Sequence, residues 1–244
     1  MCGRYVLYGP ENRIIEGFTV FELPPFTPRY NIAPTTDVLI VTAHQSGERR
    51  ASLARWGLIP SWAKDPSIGQ KLNNARAETV AEKPSFRQAF KRWRCLIPAN
   101  GFYEWQTLNE PAGKSAKPRK QPYYIHAAND QLLAFAGLVE RWLGPQGPVY
   151  SCCVITTEPN AVMQPIHERM PVILGSNDFA RWLAPDYKQL NELKTLCRPC
   201  PNEWIAAHAV SSDVNYARND LPQLLAPVAA AIPLTATGDA GAHR

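Results

Sequence analysis

No stretch of this 244-residue chain is apolar for long enough to span a bilayer, and no charged segment followed by a hydrophobic run stands near its start. Membrane-spanning helices and a secretory leader are therefore not expected, and the sequence reads as a cytoplasmic protein. A disulfide framework is also missing: the six cysteines are irregularly spaced in a chain too long to need staples. The single C-x-x-C, Cys197 to Cys200, has no second pair at zinc-ribbon spacing. The run His167-Glu168-Arg169 lacks the second histidine of an H-E-x-x-H zinc motif, so neither metal nor cofactor is expected. There is no internal repeat and no regular βαβ alternation, which excludes solenoids and doubly wound sheets.

What is present is a mildly basic chain, net charge +5 and pI about 8.9, with its lysines and arginines spread along the length. A polyanionic partner is compatible with that balance but is not implied by it. Twenty-three prolines and many short β-branched or aromatic runs predict a sheet-rich fold with frequent turns. "DVLIVTA", "PYYIHAA", "LLAFAGLVERW", "YSCCVITT" and "MPVIL" read as strands. "KPSFRQAFKRWR" places Phe86, Ala89, Phe90 and Trp93 at helical spacing, with Arg87, Lys91, Arg92 and Arg94 on the outer face. "SNDFARWLAP" and "DYKQLNELKTLC" read as two further helices. The fold class that follows is α+β, a single domain on a mixed or mostly antiparallel sheet, over residues 1–230. Residues 231–244 read as a tail, and Leu108 to Pro122 as a long hairpin tip.

Chemistry concentrates first at Cys2. Removal of Met1 would give Cys2 a free α-amine beside its thiol. An α-amine titrates near 7.7–8.0 against about 10.4 for lysine, so its unprotonated fraction at neutral pH is larger by roughly two orders of magnitude. Such a pair can condense with an aldehyde, first as an imine and then as a five-membered thiazolidine. The same pair could instead hydrolyse an amide, the thiol attacking and the amine acting as base. "KLNNARAETV" packs Asn73, Asn74, Arg76 and Glu78 into a cluster suited to orienting carbonyls or phosphates. "IPANGFYEW" sets Glu104 between Tyr103 and Trp105 on a strand, where aromatic neighbours can raise a carboxyl pKa for acid–base work. His167, taken alone, reads more readily as a structural histidine than as a catalytic one. Arg29, Pro34, Trp56 and Trp62 lie in proline-rich loops, where exposed aromatics beside cations suit stacking on unpaired bases and buried tryptophans that anchor the loops are the equal alternative.

Taken in order, "MCGRY", "RYNIAP", "WGLIPSW", "NARAET", "CLIPANGFYEW", "ITTEPN" and "IHERMPVIL" resemble the SRAP family, the SOS-response-associated peptidases understood as abasic-site processing proteins. The resemblance implies a barrel-like, mostly antiparallel core with flanking helices and a groove for single-stranded DNA. It implies that mature Cys2 condenses with the ring-opened aldehyde of an abasic site to give a stable thiazolidine DNA–protein cross-link. On matching positions, Asn74 would orient the Cys2 terminus or the sugar, Glu104 would move protons, and His167 would serve the opened sugar's oxygen. Arg4, Arg76 and Arg169 would bind phosphates, while Pro34, Trp62 and Thr156 would line the DNA path. The family's wedge against duplex DNA often has two adjacent aromatics, whereas here Ala63 follows Trp62. The implied protein is a monomer acting on chromosomal DNA, with autoproteolytic peptidase and lyase activities beside cross-linking. The rival readings are a cysteine peptidase acting on peptides and a non-catalytic single-strand binding module.

Overall fold

The run "DVLIVTA" alternates little because it is buried on both sides, and it becomes a barrel stave. The computed structural model describes residues 2–108 and 118–230. In chain order the elements are β1 (Arg4–Leu7), α1 (Glu11–Phe18), β2 (Arg29–Ile32), β3 (Asp37–Ala43), β4 (Arg49–Trp56), β5 (Asn74–Arg76), α2 (Arg87–Arg92) and β6 (Arg94–Ala99). There follow β7 (Gly101–Thr107), β8 (Lys120–Ala127), β9 (Leu133–Gly144), β10 (Gly147–Thr157), β11 (Met170–Pro171), α3 (Phe179–Leu183), α4 (Leu190–Leu196) and β12 (Ile205–Ala209). Much of the expected hairpin tip, and the whole expected tail, lie outside the described residues. No helix among the described residues is long and apolar enough to cross a membrane.

Strands β10, β4, β3, β6 and β9 pair in that order, and the long β9–β10 hairpin closes the ring into a five-stranded barrel. All these pairings are antiparallel except β10 with β4. A second sheet, ordered β12-β8-β7-β1-β2 and wholly antiparallel, packs against the barrel. One continuous apolar core joins the two, with Tyr5 edge-on to both Trp56 and Phe135 at 5.3 and 6.0 Å. The α+β class and barrel-like core read from the sequence are what the chain forms.

Two local expectations are corrected. Helix α2 is shorter than the pattern suggested, and its end reverses two side chains: Trp93 is 55% exposed, while Arg94 is 3% exposed. Arg94 starts β6, so the strand's alternation and not the helix period sets its direction. Its guanidinium donates to the Phe90 carbonyl at 2.7 Å, to that of Trp182 at 2.6 Å and to that of Ala184. It thereby satisfies carbonyl groups at the ends of both α2 and α3. The "MPVIL" strand is regular only over Met170–Pro171. Beyond it, Val172 donates to the Ile155 carbonyl and Leu174 to that of Ala134, stitching this segment across two barrel strands. Helix α1 was not anticipated. It is short, has no side-chain N-cap bond, and buries only Ile14 and Phe18.

Candidate active site

The strand pairing that builds the second sheet also builds the site. Arg4 pairs with Tyr103 across β1 and β7, which brings Cys2, just ahead of β1, level with the Glu104 end of β7. From the other side β5 lies parallel to the end of β10, Asn74 beside Val154. The loop leading to β5 is anchored at Gly57, whose φ of +134° suits glycine and whose added Cβ would stand 2.6 Å from the Gly69 carbonyl oxygen. Trp56, expected as either a stacking or an anchoring residue, is fully buried and donates from its indole to the Asn73 carbonyl at 2.9 Å.

Asn74 donates from Nδ2 to the Cys2 carbonyl at 2.9 Å, and its Oδ1 is buried without a hydrogen-bond partner among the described residues. The Cys2 thiol is completely buried. Burial pushes its pKa far up, and the neighbouring Glu104 charge adds to the rise, while the Arg4 backbone N–H opposes it. Glu104 is itself raised to about 7 by burial. A carboxyl at that value is present in both protonation states near neutrality, as a group that must both give and take a proton needs to be.

His167 ends a turn whose residues Met163, Gln164 and Ile166 are bonded back on themselves. His167 Nδ1 lies 3.0 Å from the Arg169 backbone N–H and 3.2 Å from the Arg169 carbonyl oxygen, so it accepts from the first in one tautomer and donates to the second in the other, and either way Nε2 is left to face the site. That Nε2 stands 3.7 Å from Glu104 Oε2. Burial lowers the His167 pKa, so the ring is predominantly neutral at pH 7.

Three residues not singled out from the sequence hold this turn. Gln106, two positions after Glu104 and on the same strand face, donates to the Pro165 carbonyl at 2.9 Å. Asn160 accepts from the Met163 N–H at 3.1 Å and donates to the Cys200 carbonyl at 3.2 Å. Asn202 Oδ1 accepts from Ala161 N–H at 3.0 Å. The alternation of "GFYEWQT" carried a signal for Gln106; Asn160 closes the "ITTEPN" motif without its role being legible there, and nothing local marked Asn202. The C-x-x-C loop thus buttresses the His167 turn. All six cysteines are buried free thiols, and no three His, Cys, Asp or Glu side chains among the described residues converge as a metal site requires.

The three arginines expected at phosphates stand in different circumstances. Arg76 is exposed. Arg169 is 9% exposed and forks onto Glu78 at 2.5 and 3.0 Å, with a further bond to the Thr156 carbonyl at 2.7 Å. This pairing holds Glu78 below the ordinary carboxylate range. Arg4 is half-buried and donates to Asn31 and to the Val214 and Asn215 carbonyls. Trp62 is 57% exposed and Pro34 half-buried, whereas Thr156 has no exposed surface at all, so it lies beneath any DNA path and not along it. Arg29 is engaged by Asp220, Thr36 and the Asp37 carbonyl.

Fold and site together define an α+β barrel protein that keeps a buried cysteine against a buried carboxyl and an imidazole. The chain belongs to the SOS response associated peptidase (SRAP) family, whose pattern matches residues 1–217. It is 43% identical over 229 residues to the abasic site processing protein YoqW of Bacillus subtilis, covering 92% of this chain and 99% of that one. With the abasic site processing protein HMCES of Xenopus tropicalis it shares 36% identity, over 83% of this chain and 67% of the relative. A solved structure from Bacteroides thetaiotaomicron superposes with a TM-score of 0.70 at 29% identity, covering 82% of this chain and 85% of that one. Another, from Bordetella bronchiseptica, has the same fold, with a TM-score of 0.71 at 24% identity over 86% of this chain and all of the other.

Proposed function

We propose that this protein processes abasic sites in single-stranded DNA by forming a covalent cross-link through Cys2 after Met1 is removed. The observation that carries the reading is the convergence of Cys2, Asn74, Glu104 and His167 at one sheet junction. The names of the relatives, as abasic site processing proteins, supply the substrate class.

The chemistry begins at the closed sugar. Opening it requires a proton taken from the anomeric hydroxyl and one given to the ring oxygen, and Glu104 and the His167 imidazole are the groups suited to these transfers. The freed aldehyde condenses with the Cys2 α-amine, losing water to give an imine. The thiol then adds to the imine carbon, its proton passing by way of Glu104 to nitrogen, and a thiazolidine ring closes. Glu104, near pKa 7, accepts the thiol proton that burial otherwise retains. Asn74 holds the Cys2 carbonyl, and its unpartnered Oδ1 is free to accept from the amine or a sugar hydroxyl. Exposed Arg76 binds a phosphate, and Trp62 stacks on a base. Arg169 acts by fixing Glu78 and the end of β10.

The test is a denaturing gel of purified protein with single-stranded DNA bearing one abasic site, alongside intact mass. A species that survives denaturation, disappears in Cys2→Ala and requires loss of Met1 is expected. Its absence from Met1-free wild type ends the reading. The family's name favours a second activity, removal of Met1 by Cys2 itself with Glu104 as base. Glu104→Gln made without methionine aminopeptidase should then keep Met1, while wild type loses it.

A further inference from the structure

Successive side chains of β7 point to opposite faces of its sheet. Glu104 faces the barrel and Cys2, while Trp105 faces outward and donates from its indole to Asn215 Oδ1 at 2.7 Å. From the neighbouring strand Arg4 reaches the same segment, at 2.8 Å to the Val214 carbonyl and 3.3 Å to that of Asn215. Asn31, 1% exposed, donates to the carbonyls of Val214, Tyr216 and Asn219 at 3.2, 3.2 and 2.8 Å. The Asp220 carboxylate accepts from the backbone N–H groups of Tyr30 and Asn31, and its charge faces Arg29 at 3.4 Å. Asp213 is bound within its own turn by Ser211. The loop over residues 214–220 is therefore fixed at many points, at the same end of the β1–β7 pair as Cys2.

From this fixed base Tyr216 projects, 60% exposed, with the Arg218 guanidinium 5.9 Å from its ring centroid. The ring lies outside the apolar core, which leaves its face open to a ligand. A rigid aromatic face beside a guanidinium is suited to a base and its phosphate, the first by stacking and the second by charge.

We propose that Tyr216 and Arg218 form a subsite for a nucleotide flanking the lesion, Tyr216 stacking on the unpaired base and Arg218 pairing with the adjoining phosphate. The strand would pass over the end of β7, from the Cys2 face to the Trp105 face. This rests on the DNA reading above, and the test separates the two. Binding is measured by fluorescence anisotropy on single-stranded oligonucleotides carrying a non-reactive tetrahydrofuran abasic analogue, trimmed from either end. Cross-linking to reactive abasic DNA is measured in parallel on denaturing gels.

Tyr216→Ala should weaken binding about five-fold or more, from the stacking of a single base. Tyr216→Phe and Tyr216→Trp should stay within about two-fold of wild type, because the ring and not the hydroxyl is used. Arg218→Gln should reduce the slope of log K against log salt by about 0.7, the value for one phosphate on a single strand. The Tyr216→Ala deficit should vanish once the oligonucleotide is trimmed on one side of the lesion only. Equal binding by Tyr216→Ala and wild type overturns the subsite, as does a deficit unaffected by trimming or shared by Tyr216→Phe. If wild type binds with these dependences but gives no covalent species, the chemistry of Cys2 falls and the subsite stands. If it cross-links with no Tyr216 dependence, the reverse holds. If wild type binds no single-stranded DNA, both fall.

Discussion

Replacing Glu104 by glutamine removes a titration while keeping the side chain's shape, and its consequence for stability follows from burial. The Glu104 side chain is 3% exposed and its pKa is raised to about 7 from an ordinary 4.5. In the unfolded chain the carboxyl ionises near 4.5, whereas the folded protein retains the proton until about 7. Stability from this group is therefore complete below pH 4.5 and declines as pH rises through 7. At about 1.4 kcal/mol per unit the total is roughly 3 kcal/mol. Glu104→Gln escapes this loss, so its stability relative to wild type should climb by about 3 kcal/mol between pH 4 and 8 and then level off. His167 is present in both proteins. Its lowered pKa works oppositely, favouring the fold above its ordinary pKa of 6.5 and less so as pH falls. Urea unfolding of both proteins at half-unit pH steps, with m-values compared, gives the difference directly. A difference that stays flat with pH refutes the reasoning, because the carboxyl would then titrate normally and lose its fitness for proton transfer near neutrality. The same variant should fail to form the cross-link, so stability would rise as function is lost.

Arg94→Met should cost about 3–5 kcal/mol by leaving buried carbonyls at two helix ends without donors, lowering Tm by about 10 °C in a thermal melt. Asn74→Ala should cost only about 1 kcal/mol in folding but slow cross-linking at least ten-fold at saturating DNA, through loss of positioning. Asn160→Ala should destabilise by about 1–3 kcal/mol and speed hydrogen exchange across residues 160–167, with a slower reaction because the His167 turn loosens.

The architecture was legible where the pattern was long. β3, β9 and β10 are continuous apolar runs, and such runs announce barrel staves. Cys2, Asn74, Glu104 and His167 were each visible as residues capable of chemistry. Their meeting depends on β1 pairing β7 and β5 pairing β10, contacts that no local pattern encodes. Arg94 was misplaced because a helix period was extended two residues past the helix end, into a strand. The arginines show the other limit: sequence gives a guanidinium its charge, but only the fold reveals that Arg169 already grips Glu78 while Arg76 stands open. The supporting residues Asn160 and Asn31 were silent because an asparagine that satisfies distant carbonyls looks, locally, like any turn former.

The bonds from Arg4 to Val214 and from Asn31 to Asn219 span 210 and 188 residues of chain. At about 5–20 residues per second on a ribosome, roughly 10–40 seconds separate synthesis of the first partner from arrival of the second. During that interval the nascent β1 and β2 carry an arginine and an asparagine whose native acceptors do not yet exist. The strand that follows Cys2 thus acquires its final support among the last steps of synthesis. A ribosome that stalls just before residue 220 leaves a chain with all five barrel strands made and the Cys2 end still without its last support.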